Sequence, residues 1–470
     1  MTVDGLALGD LPLAMRAWSG PRRRALGLCL AAPALCGLLA ALITPPARAL
    51  PAYADQTGQP CAACHVGGFG PQLTPFGREF KLGGYTLRTR DSIPLAAMVQ
   101  SSFTHTARDQ SPPPANFAGN DNVALDQASL FVAGGLGSHI GGFSQFTWDG
   151  VAHQFHWDNL DLRLVNSGRL LGADATYGLS FNNSPTVQDP WNTTPAWGFP
   201  YTASALPQVP AAAPLIDGAL AQNVVGLTAY AWFNHHLYVE GGGYSSPAAG
   251  TLSWLGVDPT SPGAIHGLAP YARLAYQTDF AGGTVETGAF LLKAQIYPGR
   301  DSSSGFSDHY ADVGLDASWQ KALSKGDTVA LNLRYAHEAS NLEASCALGL
   351  FGNAGTPDCA RTTLDEVRGD ISYYWHGKVG LTLNPFLITG SSNANLFAPT
   401  NRPDSNGIIT QVDYTPWGAG NSPLGPLFNV RMGVQYTAYG RFNGAVRNYD
   451  GNGANASDNN TLRFFTWLAF

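Results

Sequence analysis

Polar and apolar residues alternate over most of the chain. Asn159, Asp161 and Arg163 face one way, and Leu160, Leu162 and Leu164 the other. The pattern recurs where Asp312, Asp316, Ser318 and Gln320 oppose Val313, Leu315, Ala317 and Trp319. It recurs again where Glu366, Arg368, Asp370 and Ser372 oppose Val367, Ile371, Tyr373 and Trp375. A period of two is that of a β-strand with unlike faces. The apolar faces end in Trp and Tyr, as at the interfacial girdles of membrane barrels.

The connections alternate in length from Pro94 onward. Short ones are expected near Gly137-Ser138, Ser167-Gly168, Asn234-His235, Gly282-Gly283, Ser324–Gly326 and His376–Lys378, with a longer one from Tyr414 to Leu427. Long or polar ones fall near 109–122, 150–157, 183–220, 247–267, 297–308, 342–361, 391–405 and 440–459. Eight outer loops and seven inner turns predict an all-β transmembrane barrel of about sixteen antiparallel strands, with both ends in the periplasm and an aqueous lumen. The third outer loop is the longest, and its Pro- and Trp-rich "PWNTTPAWGFP" resembles the constriction loop of many porins. The strand "TLRFFTWLAF", closing on Phe470, looks like the signal by which outer-membrane barrels are recognised for insertion. The acidic "DGNGANASDNN" at Asp450–Asn460 resembles a calcium loop but lacks its closing glutamate, so it reads as a flexible loop.

Composition agrees with the barrel. Charged residues are 13% of the chain, aromatics 11%, and there are 55 glycines. A soluble chain of this length usually carries about twice that charge. Arg22–Arg24 followed by the apolar Ala25–Ile43 and by Ala47-Arg48-Ala49 reads as an export signal over residues 1–49. A membrane anchor is the competing reading, since the apolar stretch is almost long enough to span. Removing residues 1–49 takes away five of the 26 basic residues and two of the 33 acidic ones, leaving 21 against 31. That sign disfavours nucleic acid and favours cations as partners. Of the six cysteines, Cys346 and Cys359 bracket "CALGLFGNAGTPDC", which in an exported chain reads as a disulfide clipping a surface loop.

Residues 50–92 form a separate unit ahead of the barrel at 93–470. Its centre is "CAACHVGGFG". Cys61 and Cys64, two residues apart and followed directly by His65, form the attachment signature of a c-type haem: two thioether bonds and a proximal iron ligand. A redox disulfide or half of a zinc site would use the same cysteines. No second CxxC and no thioredoxin-like pattern accompanies them, and the histidine is immediate. Thr74-Pro75 and Gly83-Gly84 predict a short helix between them. About forty residues are too few to enclose a haem alone, so walls must come from elsewhere. Met98 shares phase with Gln100, Ser102 and Thr104, which makes it a lumen-facing candidate for sixth ligand, or a gap filler. Met432 faces lipid, and His105 is out of phase with the lumen. The other histidines considered, such as His139, His153, His156, His235, His236 and His309, fall at turns and loops. Arg78 and Lys81 are expected to meet the haem propionates. Asp161, Asp312, Asp316, Glu338, Glu366, Asp370 and Asp413 should line the lumen with Arg163, Arg273, Arg334, Arg368 and Arg431.

An export signal, one CxxCH and a sixteen-strand barrel together resemble the outer-membrane cytochrome–porin fusions of iron-oxidising bacteria. The likeness is sharpest over residues 50–87, including Pro71, Phe76-Gly77-Arg78 and Gly84-Tyr85. The resemblance implies a monohaem c-type plug in a porin-like barrel, set in the outer-membrane lipid of a Gram-negative bacterium. It implies oxidation of extracellular Fe(II), with electrons passed to a periplasmic c-type cytochrome or cupredoxin. An electron conduit for another donor, or a transport porin with a haem plug, are the alternatives. A soluble enzyme is the least favoured class, because no Ser/His/Asp or phosphate-loop constellation stands out.

Overall fold

Strands form where the alternation is cleanest: β1 Leu95–Thr106, β2 Asn122–Gly135, β3 Ile140–Asp149, β4 Gln154–Leu170, β5 Ala173–Asn182, β6 Val225–Phe233, β7 Leu237–Ser245, β8 Gly263–Ile265, β9 Ala269–Phe280, β10 Gly283–Pro298, β11 Asp308–Ala322, β12 Thr328–Asn341, β13 Arg361–Trp375, β14 Val379–Gly390, β15 Ser405–Tyr414, β16 Asn429–Arg441 and β17 Thr461–Ala469. This computed structural model describes residues 52–89, 94–351, 359–420, 422–425 and 428–470. The export signal and the 92/93 boundary lie outside the described residues.

All pairings are antiparallel and follow chain order. β17 returns to β1, from Met98 opposite Ala469 to Thr106 opposite Thr461, which closes the sheet. β8 pairs with β10 at Ile296–Pro298, beyond the point where β9 leaves it, so β8 and β9 make one stave. The barrel therefore has sixteen staves and no open edge. That is what a sheet needs inside hydrocarbon, where an unpaired backbone group has no water to bond. No helix among the described residues is long and apolar enough to cross a membrane; strands do the crossing.

The outward face carries Leu162, Leu164, Leu315, Leu333, Ile371, Leu381, Val412 and Met432, all exposed. Tyr276, Tyr373, Trp375 and Tyr414 are exposed near the short-turn end, the periplasmic end in barrels of this kind. The inward face is buried and mostly polar, with an apolar patch at Tyr271, Phe290, Leu292 and Ile296. This is an outer-membrane-type β-barrel. One turn lies elsewhere than expected. β4 runs to Leu170, and the turn is Leu171–Gly172, not Ser167-Gly168. Asn166–Arg169 are exposed on both faces of the strand, so the alternation ends before the strand does.

The lumen is not an open aqueous channel. From the short-turn end it receives an N-terminal plug with helices α1 Ala52–Thr57, α2 Cys61–Cys64 and α3 Pro75–Leu82. From the other end it receives the loop 183–224 between β5 and β6. The upper lumen has a soluble-type core: Leu215, Ile216 and Leu220 of that loop pack on Tyr271, Phe290, Leu292 and Ile296 of the wall. The loop at Asp450–Asn460 closes on its own side chains. Asp450 Oδ1 accepts from the backbone of Asn452 and Ala454, and Asn455 and Asp458 cap one another.

Candidate functional site

The plug meets the wall first at Gln56 of α1, whose Oε1 accepts from Gly135 N–H of β2 at 2.8 Å, and next at the CxxCH segment. α2 is one helical turn, which carries Cys61 and Cys64, both free and half-buried. His65 N–H bonds the Cys61 carbonyl, so the turn ends at the histidine. Thr74 caps α3, accepting from Gly77 N at 3.2 Å, with Pro75 in its first turn and Gly83 ending it. The helix falls where Thr74-Pro75 and Gly83-Gly84 predict it.

The segment after His65 is clamped to the barrel. Gly67 has φ +65°, and a Cβ there would lie 2.2 Å from the Tyr374 ring; Gly68 has φ +72°, and its Cβ would lie 2.2 Å from the Gly418 carbonyl. Only glycine combines that backbone with that approach. Arg431 of β16 donates to the Gly67 carbonyl at 3.3 Å, and its guanidinium lies 5.9 Å from the Phe69 ring and 5.6 Å from the Tyr374 ring. Asn429 donates to the Gly68 carbonyl at 3.1 Å. Phe69 packs edge-on against Trp467, with Phe465 and Met98 in the same cluster. Met98 thus packs in the cluster of Phe69, four residues beyond His65, and its sulfur lies 3.9 Å from Gln100 Nε2.

His65 Nδ1 is buried and has no hydrogen-bond partner in bonding geometry. Burial, and then the Arg431 charge, pull the imidazole down to about 4, while the Gly70 backbone pulls the other way. The ring is therefore neutral at physiological pH, the form that ligates metal. Two thiols on one turn and a neutral histidine directly after them are the donor set that a covalently attached haem would use.

Arg78 and Lys81 of α3 are bonded to the wall and to the loop between β5 and β6. Arg78 bonds Gln277 at 3.3 Å and Gln320 at 3.1 Å on the wall. Lys81 donates to the Val187 carbonyl and to Asn192 Oδ1, both at 2.8 Å, and stands 5.0 Å from the Trp197 ring. Burial pulls its ammonium down to about 7. Asn192 in turn donates to the Pro71 carbonyl at 2.7 Å. Plug and loop 183–224 are latched to each other across the lumen.

The expected lumen carboxylates and arginines do face inward. Arg273 joins Asp316 at 2.7 Å, Asp189 at 3.1 Å and Glu286 at 3.3 Å, with no solvent exposure on any of the four side chains. Arg334 and Arg368 share Glu366 and Asp217. Arg431 pairs with Asp413, and Arg163 with Asp161, which also accepts from the Tyr85 hydroxyl. Glu338 and Asp312 accept from the backbone of Leu215 and Ile216. Sequence reading missed Asp126, Asp189, Asp217, Glu240, Glu286 and Arg463. Glu286 shares phase with Phe290 and Leu292, and that phase was its only signal. Asp189 and Asp217 sit in an irregular loop, where no period exists to reveal them.

A smaller cavity of about 170 Å³ on the outer side of the lumen is lined by Asp126, Asp149, His156 and Asp158, among others. No three His, Cys, Asp or Glu side chains among the described residues converge to hold a metal ion. Cys346 and Cys359 are disulfide-bonded in the loop before β13, with Cα atoms 5.7 Å apart.

No protein-family model and no curated protein matches the chain. Similar solved structures are outer-membrane channels. The anion-selective porin from Comamonas acidovorans is 12% identical, with a TM-score of 0.44, covering 80% of this chain and 98% of that one. The outer-membrane channel DcaP of Acinetobacter baumannii is 11% identical, with a TM-score of 0.43, covering 80% and 96%. OmpT of Vibrio cholerae, folded in vitro, is 9% identical, with a TM-score of 0.40, covering 81% and 98%. At these values the likeness is one of barrel architecture, and the fold stated above rests on the strand pairing of this chain.

Proposed function

We propose that this porin-type barrel carries a covalently bound c-type haem on its plug and passes electrons, not solutes, across the outer membrane. The supporting observation is the clamped CxxCH segment at the mouth of a lumen filled by buried ion pairs. Cys61 and Cys64 provide the thioether sulfurs and His65 the proximal nitrogen. Bound there, a haem supplies a one-electron couple. Arg431, Asn429 and the two glycines hold the ligand loop against the wall. Trp467, Phe465 and Phe69 exclude water on one side, and Met98 is the proposed sixth ligand. The donor implied by the family resemblance is extracellular Fe(II), and the acceptor a periplasmic cytochrome or cupredoxin.

The test begins with full-length protein from a host that matures c-type cytochromes. Haem that stays with the polypeptide on a denaturing gel, and is lost in Cys61→Ser/Cys64→Ser, is the expected result; a colourless wild type overturns the reading. Anaerobic stopped-flow absorbance with Fe(II) then tests the donor. Reduction by dithionite but not by Fe(II) removes iron and keeps the conduit.

A transport porin with a movable plug is the second reading. It is favoured by the barrel itself and by the polar, not apolar, pins at Arg78 and Lys81. It predicts solute flux that is indifferent to His65.

A further inference from the structure

One row of the wall sets two acids side by side. Across β10, β11, β12 and β13 the opposed residues are Leu292, Asp312, Glu338 and Leu364. All four are buried, Asp312 to 1% exposure and Glu338 to 3%. The two carboxyls are in hydrogen-bond contact with each other. Neither pairs with a cation among the described residues, and the charged groups around them are engaged elsewhere. Asp217 of the loop 183–224 lies with Arg334 and Arg368, which also hold Glu366. Asp316 holds Arg273, and Asp308 accepts from Ser345. Tyr310 packs on the apolar core. His337, next to Glu338 in the chain, bonds Asp365.

Two carboxylates so close, with a leucine on either flank, cannot both ionise, and the pair keeps one proton between them. Asp312 Oδ1 is buried and receives no other donor, so it is the oxygen that this proton satisfies. The loop 183–224 covers the pair. Glu338 Oε2 accepts from Leu215 N–H at 2.6 Å, and Asp312 Oδ2 from Ile216 N–H at 2.7 Å. These consecutive amides belong to the residues that anchor the loop on Tyr271, Phe290 and Leu292. Loss of the shared proton leaves two like charges under an apolar lid, and lifting the loop to admit water is the relief.

We infer that Asp312 and Glu338 form a proton-sharing catch that holds the loop 183–224 in the lumen and releases it as the medium turns alkaline. The catch uses no residue of the plug and does not depend on haem.

Undocked and wet, the two carboxyls lose their protons in the ordinary range, at about 4. Above that range docking takes up one proton, so it weakens as pH rises, by up to about tenfold per unit, until the docked pair itself ionises.

The test is hydrogen exchange at the Leu215 and Ile216 amides of the full-length protein in detergent, between about pH 6 and 9. Wild type is compared with Glu338→Gln, whose amide oxygen still accepts from Leu215 while its nitrogen donates to Asp312 in place of the proton. The protection of the variant relative to wild type should rise with pH, by up to about tenfold per unit. Lys81, at the other end of the loop, contributes equally to both proteins and cancels in the ratio. Should Glu338→Gln fail to fold, by heat-modified gel migration, Asp312→Asn takes its place. A pair that keeps one proton tolerates either amide, so failure of both to fold overturns the inference, as does a ratio that stays constant with pH.

Discussion

His65 and Gly67 are separated by one residue and fail in different ways. His65→Ala removes the proposed iron ligand and leaves the Arg431 and Asn429 bonds to the Gly67 and Gly68 carbonyls in place. Electron transfer should vanish while barrel migration on a gel stays normal; persistent Fe(II) oxidation would reject the haem-centred reading. Gly67→Ala keeps every ligand but drives a methyl into Tyr374. The plug should lift, seen as protease cleavage between Cys61 and Leu82 with the barrel intact. Lys81 gives a pH signature. Its ammonium titrates near 10.4 when free and at about 7 when docked. Between those values the undocked plug holds a proton that the docked plug lacks. Docking should therefore strengthen as pH rises from about 7 to 10, by up to ~1.4 kcal/mol per unit, with the full penalty present below 7. Hydrogen exchange of α3 in wild type against Lys81→Gln measures it, and equal slopes would refute it. The sequence placed Lys81 on a helix but could not show that its partners, Val187 and Asn192, lie more than a hundred residues away.

The loop 183–224 shows how an irregular element is fixed by charge. Asp189 receives backbone N–H groups from Thr193 and Thr194 and the guanidinium of Arg273. Arg273→Gln strands three buried carboxylates, and breaking a buried pair costs about 3–5 kcal/mol. Urea midpoints in detergent should fall accordingly, and an unchanged midpoint would show that the network is not needed for stability. The loop's length and its tryptophans were legible in the sequence, as was its likeness to a constriction element. Its apolar half was not. Leu215 and Ile216 look like surface residues until Phe290 and Leu292 are seen to face inward, against the polar-in rule of a barrel lumen. Outside the lumen, the disulfide closes a loop of 13-residue separation. Cys346→Ser should lower stability by roughly 2–3 kcal/mol, read as a lower thermal midpoint under non-reducing conditions, with no change in haem content.

At the scale of the molecule, sixteen staves follow from alternation and loop spacing, and only the turn at Leu171 moved. What no pattern announced is that plug and loop meet and fill the lumen. Planar-bilayer conductance of the intact protein should be near that of the bare membrane, and deletion of residues 50–92 should raise it. High conductance in the intact chain would favour the transport reading. The seam between β1 and β17 has one more consequence. These strands lie more than 350 residues apart in the chain, yet their pairing is what shuts the wall. The plug touches both sides of that seam, Phe69 on Trp467 of β17 and Gln56 on Gly135 of β2. Its seat is therefore complete only once the seam has closed, while the two ends of the wall stay open for it to enter. In such a chain the plug acts as a bolt across the joint, and pulling it should loosen the seam before any other part of the wall.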